Sequence, residues 1–218
     1  MRRVLALIGI AAAALVFGIA AHGITGGWQQ ARVERAVQDN AAQIFRSPAS
    51  FVAGNPKGDV SVVAFYDANC PYCREGAPIL SRLIANDGQV RLVLKELPVL
   101  GPDSEAVARV MLAAARQGKY FELYQRLFAA PGRATKDKAM GIAGELGLDM
   151  ARLEQDMQDP AIDDAVAGNK RLAQSLGAKG VPFYLVGDRV LREGGQDLYR
   201  ELTETVADVR KNDCRTAC

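Results

Sequence analysis

Two cysteines separated by two residues, Cys70 and Cys73, follow an apolar run at residues 60–66. The run is rich in valine and aromatic residues and predicts a buried strand. Helix-forming residues come after the cysteines, so Cys70 lies at or near the first helical position, and Pro71 suits the first turn. The N–H groups and dipole at a helix N-terminus favour negative charge, so a Cys70 thiolate is stabilised there.

This spacing predicts thiol–disulfide exchange. The Cys73 thiol can reach back and resolve a mixed disulfide formed at Cys70. Cys70 is therefore predicted to be the exposed attacking sulfur and Cys73 the shielded resolving sulfur. Two alternatives stay open. The pair could be half of a zinc site, which would need the tail cysteines Cys214 and Cys218 to fold back, or it could form an inert structural disulfide. The strand-to-helix context favours the redox motif.

Composition excludes several classes of protein. The only histidine is His22, so residues 23–218 contain no Cys–His or Ser–His pair and no histidine metal ligand. The net charge of +2 is supplied by Arg2 and Arg3, because residues 1–23 contain no acidic residue. A neutral body predicts no nucleic-acid binding. At 218 residues, 49% of them hydrophobic, the chain can bury a substantial core.

The first residues have the plan of an export signal. Arg2 and Arg3 precede an uncharged apolar run from Val4 to Ala21. Small residues follow, which suits cleavage near residues 20–23, while the run is also close to the lower limit for spanning a bilayer. A cleaved signal peptide and a retained N-terminal membrane anchor both stay open. Either form predicts that the body faces the periplasm, an oxidising compartment where disulfide chemistry operates.

An amphipathic helix is predicted from Trp28 to Phe45. Its apolar residues fall on one stripe, made of Val33, Val37, Ala41 and Ile44. One interpretation is a stalk or a helix packed on its own domain; the other is a self-association helix that makes a homo-oligomer. Residues 47–58 are rich in proline and glycine and predict a linker.

The remaining elements alternate between strand and helix patterns. Residues 90–96 predict a second strand parallel to the first. Four or five helices follow, with caps at Asp103 or Ser104, at Thr135 and at Asp149, and an aromatic stripe at residues 120–129 that we assign to the core. Strands at 177–187 and 190–193 and a helix at 198–211 complete the pattern. The tail pair predicts an accessory disulfide, with a relay to the motif as the alternative.

Three segments of the sequence carry a family resemblance: FYDANCPYC, KELPVLGPDS and GVPFYLVG. Together with the element order, they resemble the DsbA-like thiol:disulfide interchange proteins of the thioredoxin superfamily, and within these the ScsC-like branch. The resemblance implies an α/β thioredoxin fold with an inserted all-helical domain. The organisation is then a signal or anchor (1–23), an amphipathic helix and linker (24–58), the first part of the thioredoxin fold (59–102), the helical insertion (103–177), the second part (178–211) and a cysteine-bearing tail (212–218).

The resemblance also implies roles for residues of the motif. Cys70 is the nucleophile and Cys73 the resolving thiol, while Pro71 and Tyr72 between them tune the redox potential. Pro182, preceded by Val181, is a cis-proline that lies against the cysteine pair. Its turn leaves backbone polar groups free to bind an extended substrate chain.

The predicted function is an exported thiol:disulfide oxidoreductase that makes or rearranges disulfides in client proteins, with a membrane redox partner and no metal or organic cofactor. The alternative is a stress-protection protein that binds copper or zinc through the same cysteines. Asp67, three residues before Cys70, matches family members. Lys95 and Glu96 would assist proton transfer or, as we favour here, form a solvated charge pair.

Overall fold

The computed structural model describes residues 32–191 and 197–212. Within them a five-stranded mixed sheet has the order β1-β3-β2-β4-β5. Strands β2 and β3 are parallel, whereas β1–β3, β2–β4 and β4–β5 are antiparallel pairs. The strands are β1 (Phe51–Gly54), β2 (Val60–Tyr66), β3 (Val90–Glu96), β4 (Phe183–Val186) and β5 (Arg189–Val190).

Helices surround this sheet, and most of them lie between β3 and β4. Residues 32–39 are helical, and the helices that follow are α1 (Ala41–Phe45), α2 (Pro71–Asn86), α3 (Pro102–Ala115), α4 (Tyr120–Ala129), α5 (Lys136–Glu145), α6 (Met150–Asp156), α7 (Pro160–Ser175) and α8 (Leu198–Asn212). Helices α3–α7 form the predicted insertion. The predicted fold class, an α/β sheet interrupted by a helical insertion, is confirmed.

Strand β2 is the centre of the sheet, and all seven of its residues are buried. Alternate side chains point to opposite faces, as a strand requires. Val62, Ala64 and Tyr66 join one hydrophobic cluster with α2, α8 and the insertion. Val63 and Phe65 join a second cluster with the N-terminal helix and α7. Both faces are therefore packed, which fixes the end of β2, where the cysteine motif begins.

The insertion begins and is capped largely as its sequence indicates. The side chains of Thr135 and Asp149 accept hydrogen bonds from backbone N–H groups at the starts of α5 and α6, so both predicted caps are confirmed. The cap predicted at Asp103 or Ser104 is wrong. The N-cap residue is Gly101 and helix α3 begins at Pro102, two residues before a cap at Asp103 would start it, because proline is preorganised for the first helical position. Ser104 instead turns its hydroxyl towards the cysteine motif, as described below.

The described part of the N-terminal amphipathic helix packs on its own domain. Val37 and Ile44 are fully buried, and Phe45 is nearly so, in the cluster that contains Phe65 of β2. Val33, also on the predicted stripe, is half-buried against the same cluster. Trp28 and its neighbours lie outside the described residues, and self-association through this helix stays a prediction.

Two segments differ from their predicted conformation. The linker predicted at residues 47–58 contains β1, which pairs with β3 from Phe51 to Gly54. So short an apolar run between proline-rich and glycine-rich flanks carries no local strand signal, and pairing with β3 supplies the missing stabilisation. Gly54 is required there, because a Cβ would lie 2.6 Å from the Val90 carbonyl and its φ is +71°. The strand predicted at residues 190–193 begins one residue earlier, as β5 (Arg189–Val190); Leu191 is not in the strand, and residues 192–193 lie outside the described residues.

No helix among residues 32–191 and 197–212 is long and apolar enough to cross a membrane. The signal or anchor predicted at residues 1–23 falls outside these ranges, as do Cys214 and Cys218 of the tail.

Candidate redox site

The cysteine motif lies at the junction of β2 and α2. Cys70 is the N-cap residue of α2, with extended backbone angles, and Pro71 occupies the first helical position. The Cys70 N–H donates to the Asp67 carbonyl at 3.1 Å, and the Cys70 carbonyl accepts from the N–H of Arg74 at 3.0 Å. Cys70 therefore lies at the N-terminal end of α2, where the N–H groups of the first turn have no partner within the helix.

Both sulfurs are free thiols, and both residues are buried. The exposed fraction is 4% for Cys70 and 3% for Cys73, so the prediction of an exposed Cys70 is wrong for this state of the protein. The turn that contains Val181 and Pro182 approaches Cys70: the Cys70 thiol donates to the Val181 carbonyl at 3.4 Å. The Val181–Pro182 peptide bond is cis. The structure thus brings together two of the three segments that carry the family resemblance.

Burial acts strongly on the Cys73 thiol. Burial is the largest effect and raises the pKa of Cys73 far above that of a free thiol. The hydrogen bond with Cys70 and the charges of Cys70 and Asp67 raise this pKa further, whereas a backbone hydrogen bond at Asp67 lowers it. Cys73 is therefore held as the protonated thiol while Cys70 is reduced. This is the property expected of a resolving thiol that acts after the first exchange step.

An exposed apolar surface adjoins the motif. Tyr72 is 68% exposed, Val99 47% and Leu100 44%, and these are the large apolar side chains found exposed among the described residues. Val99 and Leu100 lie between β3 and α3, in the loop that binds Asp67. We call these three residues the exposed apolar surface.

Asp67 connects that loop to the motif. The residue is 1% exposed, and its carboxylate accepts four hydrogen bonds. Oδ1 accepts from the Asn69 N–H at 2.8 Å and the Ser104 hydroxyl at 2.7 Å. Oδ2 accepts from the N–H groups of Val99 and Leu100 at 2.8 and 2.9 Å. No role for Asp67 followed from the sequence. The structure shows that it connects the end of β2 to α3 and to the loop.

Asn69 and Arg74 attach the motif to the insertion, which the sequence did not indicate. The Asn69 amide pairs with Ala134 in both directions: Oδ1 accepts from the Ala134 N–H at 2.9 Å, and Nδ2 donates to the Ala134 carbonyl at 3.0 Å. Arg74 donates to the carbonyls of Ala68 and Ala130. The helical insertion thus fixes the entry to α2.

The prediction that Lys95 and Glu96 form a solvated charge pair is wrong. Both residues are buried, and successive strand residues face opposite sides of the sheet. Lys95 Nζ donates to the Gln43 carbonyl at 2.8 Å and the Ser50 hydroxyl at 2.6 Å, so it holds the N-terminal segment. Burial, followed by the charge of Arg91, lowers the pKa of Lys95 to about 8.

Glu96 lies on the side of the cysteines, among tyrosines. Its Oε1 accepts hydrogen bonds from the hydroxyls of Tyr66 and Tyr120, the latter at 2.8 Å. Burial raises the pKa of Glu96 to about 8, although the two tyrosine hydrogen bonds lower it. The structure does not place Glu96 in hydrogen-bond contact with either cysteine, and its part in proton transfer stays a prediction.

Gly76 makes room for Tyr184 behind the cysteines. A Cβ on Gly76 would clash with the hydroxyl of Tyr184, a buried residue. We expect Gly76→Ala to lower the free energy of unfolding by about 1–3 kcal/mol, because a buried side chain must move. In a Tyr184→Phe background the clashing oxygen is absent, and the same change should cost less than half as much. Urea unfolding of the four proteins measures this coupling, and equal costs in both backgrounds would contradict it.

Among residues 32–191 and 197–212, no group of three or more histidine, cysteine, aspartate or glutamate side chains is arranged to hold a metal ion.

Comparison with known proteins agrees with this geometry. A thioredoxin-like oxidoreductase from Silicibacter pomeroyi DSS-3 is 40% identical in sequence; the match covers 79% of this chain and 98% of that one, with a TM-score of 0.75. ScsC of Proteus mirabilis in a transitional conformation has a TM-score of 0.71 over 95% of this chain and 97% of its own. At 20% identity, its likeness is one of fold.

Curated relatives share only part of their length with this chain. The Na(+)/H(+) antiporter NhaA of Herminiimonas arsenicoxydans is 30% identical over 142 residues, which are 65% of this chain. The chain spans less than a quarter of that protein, 23%.

A cysteine pair at the start of the helix after the central strand, faced by a cis X-Pro turn, defines a thioredoxin-like thiol–disulfide oxidoreductase. A family model described as the DSBA-like thioredoxin domain matches residues 61–204. The chain belongs to that family, and the predicted resemblance to DsbA-like proteins is confirmed. The individual roles of Pro71, Tyr72, Val181 and Pro182 stay predictions.

Proposed function

We propose that this protein is an exported thiol:disulfide oxidoreductase that makes or rearranges disulfides in client proteins. The observation that supports it most directly is the approach of the Val181 carbonyl to within 3.4 Å of the Cys70 sulfur, at the N-cap of α2. A reactive sulfur and a backbone acceptor for an extended chain thus lie side by side.

In the oxidising direction, the protein begins with a Cys70–Cys73 disulfide. A client thiolate attacks the Cys70 sulfur; a client–Cys70 disulfide forms, the Cys70–Cys73 bond breaks, and Cys73 leaves as a thiolate that takes up a proton. A second client thiolate then attacks the client sulfur of that mixed disulfide. The client disulfide forms, and Cys70 leaves as a thiolate at the N-terminus of α2. The protein gains two electrons, which a membrane redox partner accepts.

In the rearranging direction, the same steps start from the reduced pair. The Cys70 thiolate attacks a client disulfide and releases one client thiolate. That thiolate attacks a different client disulfide or returns to the mixed disulfide, and Cys70 is released unchanged. Cys73 can also resolve the mixed disulfide: it loses its proton, attacks the Cys70 sulfur and releases a client that has not rearranged.

The exposed apolar surface fits contact with clients that are not yet fully folded. Tyr72 belongs to the motif, and Val99 and Leu100 are joined to it by hydrogen bonds to Asp67. Exposed apolar side chains bind the apolar segments that an incompletely folded chain presents. The surface would hold such a segment while its cysteine exchanges at Cys70.

The proposals of export and of a homo-oligomer are supported by the sequence and by similar proteins. A structure of similar fold is a periplasmic thioredoxin-like protein from Salmonella enterica serovar Typhimurium. The signal-like plan of residues 1–23 agrees with the same compartment, with or without a retained anchor. A homo-oligomer through the helix from Trp28 to Phe45 would need a surface other than Val37 and Ile44, which the domain itself covers.

The purified protein lacking residues 1–23 tests this function. Stoichiometric amounts of its oxidised form should introduce disulfides into a reduced test protein within minutes, faster than the buffer alone by at least about a hundredfold. Reactivation of a test protein with scrambled disulfides, in a glutathione buffer, would assign the rearranging direction as well. Failure in both assays would contradict the proposal, and stoichiometric binding of Cu(I) or Zn²⁺ would then favour the metal-binding alternative.

A further inference from the structure

Asp67 is the buried charged group closest in sequence to the cysteines, and the exchange steps above do not use it. Its carboxylate accepts four hydrogen bonds between 2.7 and 2.9 Å. The donors come from three places: the motif itself, the start of α3, and the loop that carries Val99 and Leu100.

The same residue also holds Cys70 through its main chain. The Asp67 carbonyl accepts from the Cys70 N–H at 3.1 Å, while Oδ2 accepts from the N–H groups of Val99 and Leu100. The main chain of Asp67 is therefore bonded to the reactive cysteine, and its side chain to the two exposed loop residues. One buried residue thus sets the distance between Cys70 and the loop.

We propose that Asp67 is a positioning residue that fixes Val99 and Leu100 relative to Cys70 so that protein clients are held for attack, an inference that rests on the proposed function. The loop side chains are 47% and 44% exposed although their backbone N–H groups are bonded to a buried carboxylate. The main chain is thus held inside while the side chains are presented outside. Small thiols, which need no apolar contact, gain nothing from this arrangement.

A carboxylate suits this position because all four of its partners donate hydrogen bonds. An amide has a single acceptor oxygen, and its NH₂ group cannot accept. In Asp67→Asn an NH₂ group replaces one of the two carboxylate oxygens. If it lies towards Ser104, whose hydroxyl can rotate and accept, the Asn69 N–H of the motif loses its partner. If it lies towards the loop, the N–H groups of Val99 and Leu100 lose theirs. Either orientation releases one end of the connection between the motif and the loop, in a protein that still contains both cysteines and the cis turn.

A double-mutant cycle tests the connection. The chain is assayed as wild type, as Asp67→Asn, as Val99→Ser with Leu100→Ser, and as all three substitutions together. For each, kcat/KM with a reduced protein client is divided by the rate constant for dithiothreitol, a small dithiol. Dividing removes any change in the intrinsic reactivity of the cysteines, which the charge of Asp67 also influences.

We expect the ratio to fall about fivefold in Asp67→Asn and about tenfold in the loop variant, mainly through KM for the client. In the combined variant the ratio should stay within about twofold of the loop variant, because Asp67 acts through the loop that is already altered. Asp87→Asn is the matched control: that carboxylate accepts from the Gln89 N–H and pairs with Arg210 at the far end of α2. Its ratio should match the wild type.

Reductions that multiply in the combined variant, or an unchanged ratio in Asp67→Asn, would overturn the inference while leaving the proposed function intact. A wild-type protein that oxidises neither the client nor dithiothreitol would overturn the proposed function and this inference with it. If Asp67→Asn yields too little folded protein, Ser104→Ala takes its place in the cycle. It removes one of the four bonds, keeps the carboxylate, and should lower the ratio about twofold without adding to the loop variant.

Discussion

Replacing Cys70 by serine is expected to abolish disulfide exchange with protein clients, by about 1,000-fold or more. A hydroxyl oxygen forms no disulfide, so neither a mixed disulfide nor the internal Cys70–Cys73 bond can exist. The loss of reduced thiols in a test protein, followed over time, measures the effect. Thermal unfolding of the variant checks that the protein is folded. Full activity in Cys70→Ser would contradict the mechanism.

Replacing Cys73 by serine should have a different effect. The Cys70 thiol still attacks client disulfides, but the mixed disulfide cannot be resolved from within and accumulates. A variant with both Cys214→Ser and Cys218→Ser is the matched control, because it also removes two thiols. It should keep its exchange rate within about twofold of the wild type, since the tail pair is predicted to be accessory. A large loss in this control would favour the relay.

Glu96→Gln should change how stability depends on pH. The Glu96 carboxyl has a pKa of about 8 in the folded protein, against roughly 4.3 in an unfolded chain. Between these values the folded state keeps a proton that the unfolded state releases. This residue therefore makes the wild type lose stability as the pH rises from about 4.3 to about 8, by on the order of 5 kcal/mol in total. Glutamine accepts the same tyrosine hydrogen bonds without titrating.

Urea unfolding at pH 5, 6, 7 and 8 measures that difference. The wild type should lose stability relative to Glu96→Gln at each of these steps. A constant gap over this range would contradict the buried, protonated carboxyl.

Lys95 lies on the same strand, and its effect on the pH dependence of stability is expected to be opposite to that of Glu96; Lys95→Met tests this. The pKa of Lys95 is about 8 when folded, against roughly 10.4 unfolded, so the unfolded state binds more protons between these values. Lys95 therefore makes the wild type gain stability as the pH rises from about 8 to about 10.4, and the gain should be absent in Lys95→Met. Parallel curves for wild type and Lys95→Met would contradict this.

Local patterns predicted much of the fold. The strand–motif–helix–strand unit around Cys70, the helical insertion, and the caps at Thr135 and Asp149 all follow from short runs of sequence, because hydrophobic period and turn residues act over a few positions. The family resemblance added the cis turn at Pro182. The cysteine pair was recognisable from spacing and context alone.

What the sequence did not predict depends on contacts between distant segments. Strand β1 exists because β3 pairs with it, and the burial of Lys95 depends on Gln43 and Ser50, more than 40 residues earlier. Asn69 and Ser104 look like ordinary loop and helix residues until the insertion folds back on the motif. The burial of Cys70 follows from the approach of Val181, 111 residues later. No periodicity encodes such approaches.

Mass-spectrometric mapping of the adduct that Cys73→Ser forms with a disulfide-containing client tests exchange at Cys70. We expect one client molecule for each protein molecule, joined by a disulfide to Cys70, and no adduct when Cys70 is also replaced by serine. A client joined to Cys214 or Cys218, or no adduct at all, would contradict exchange at Cys70 and with it the proposed function.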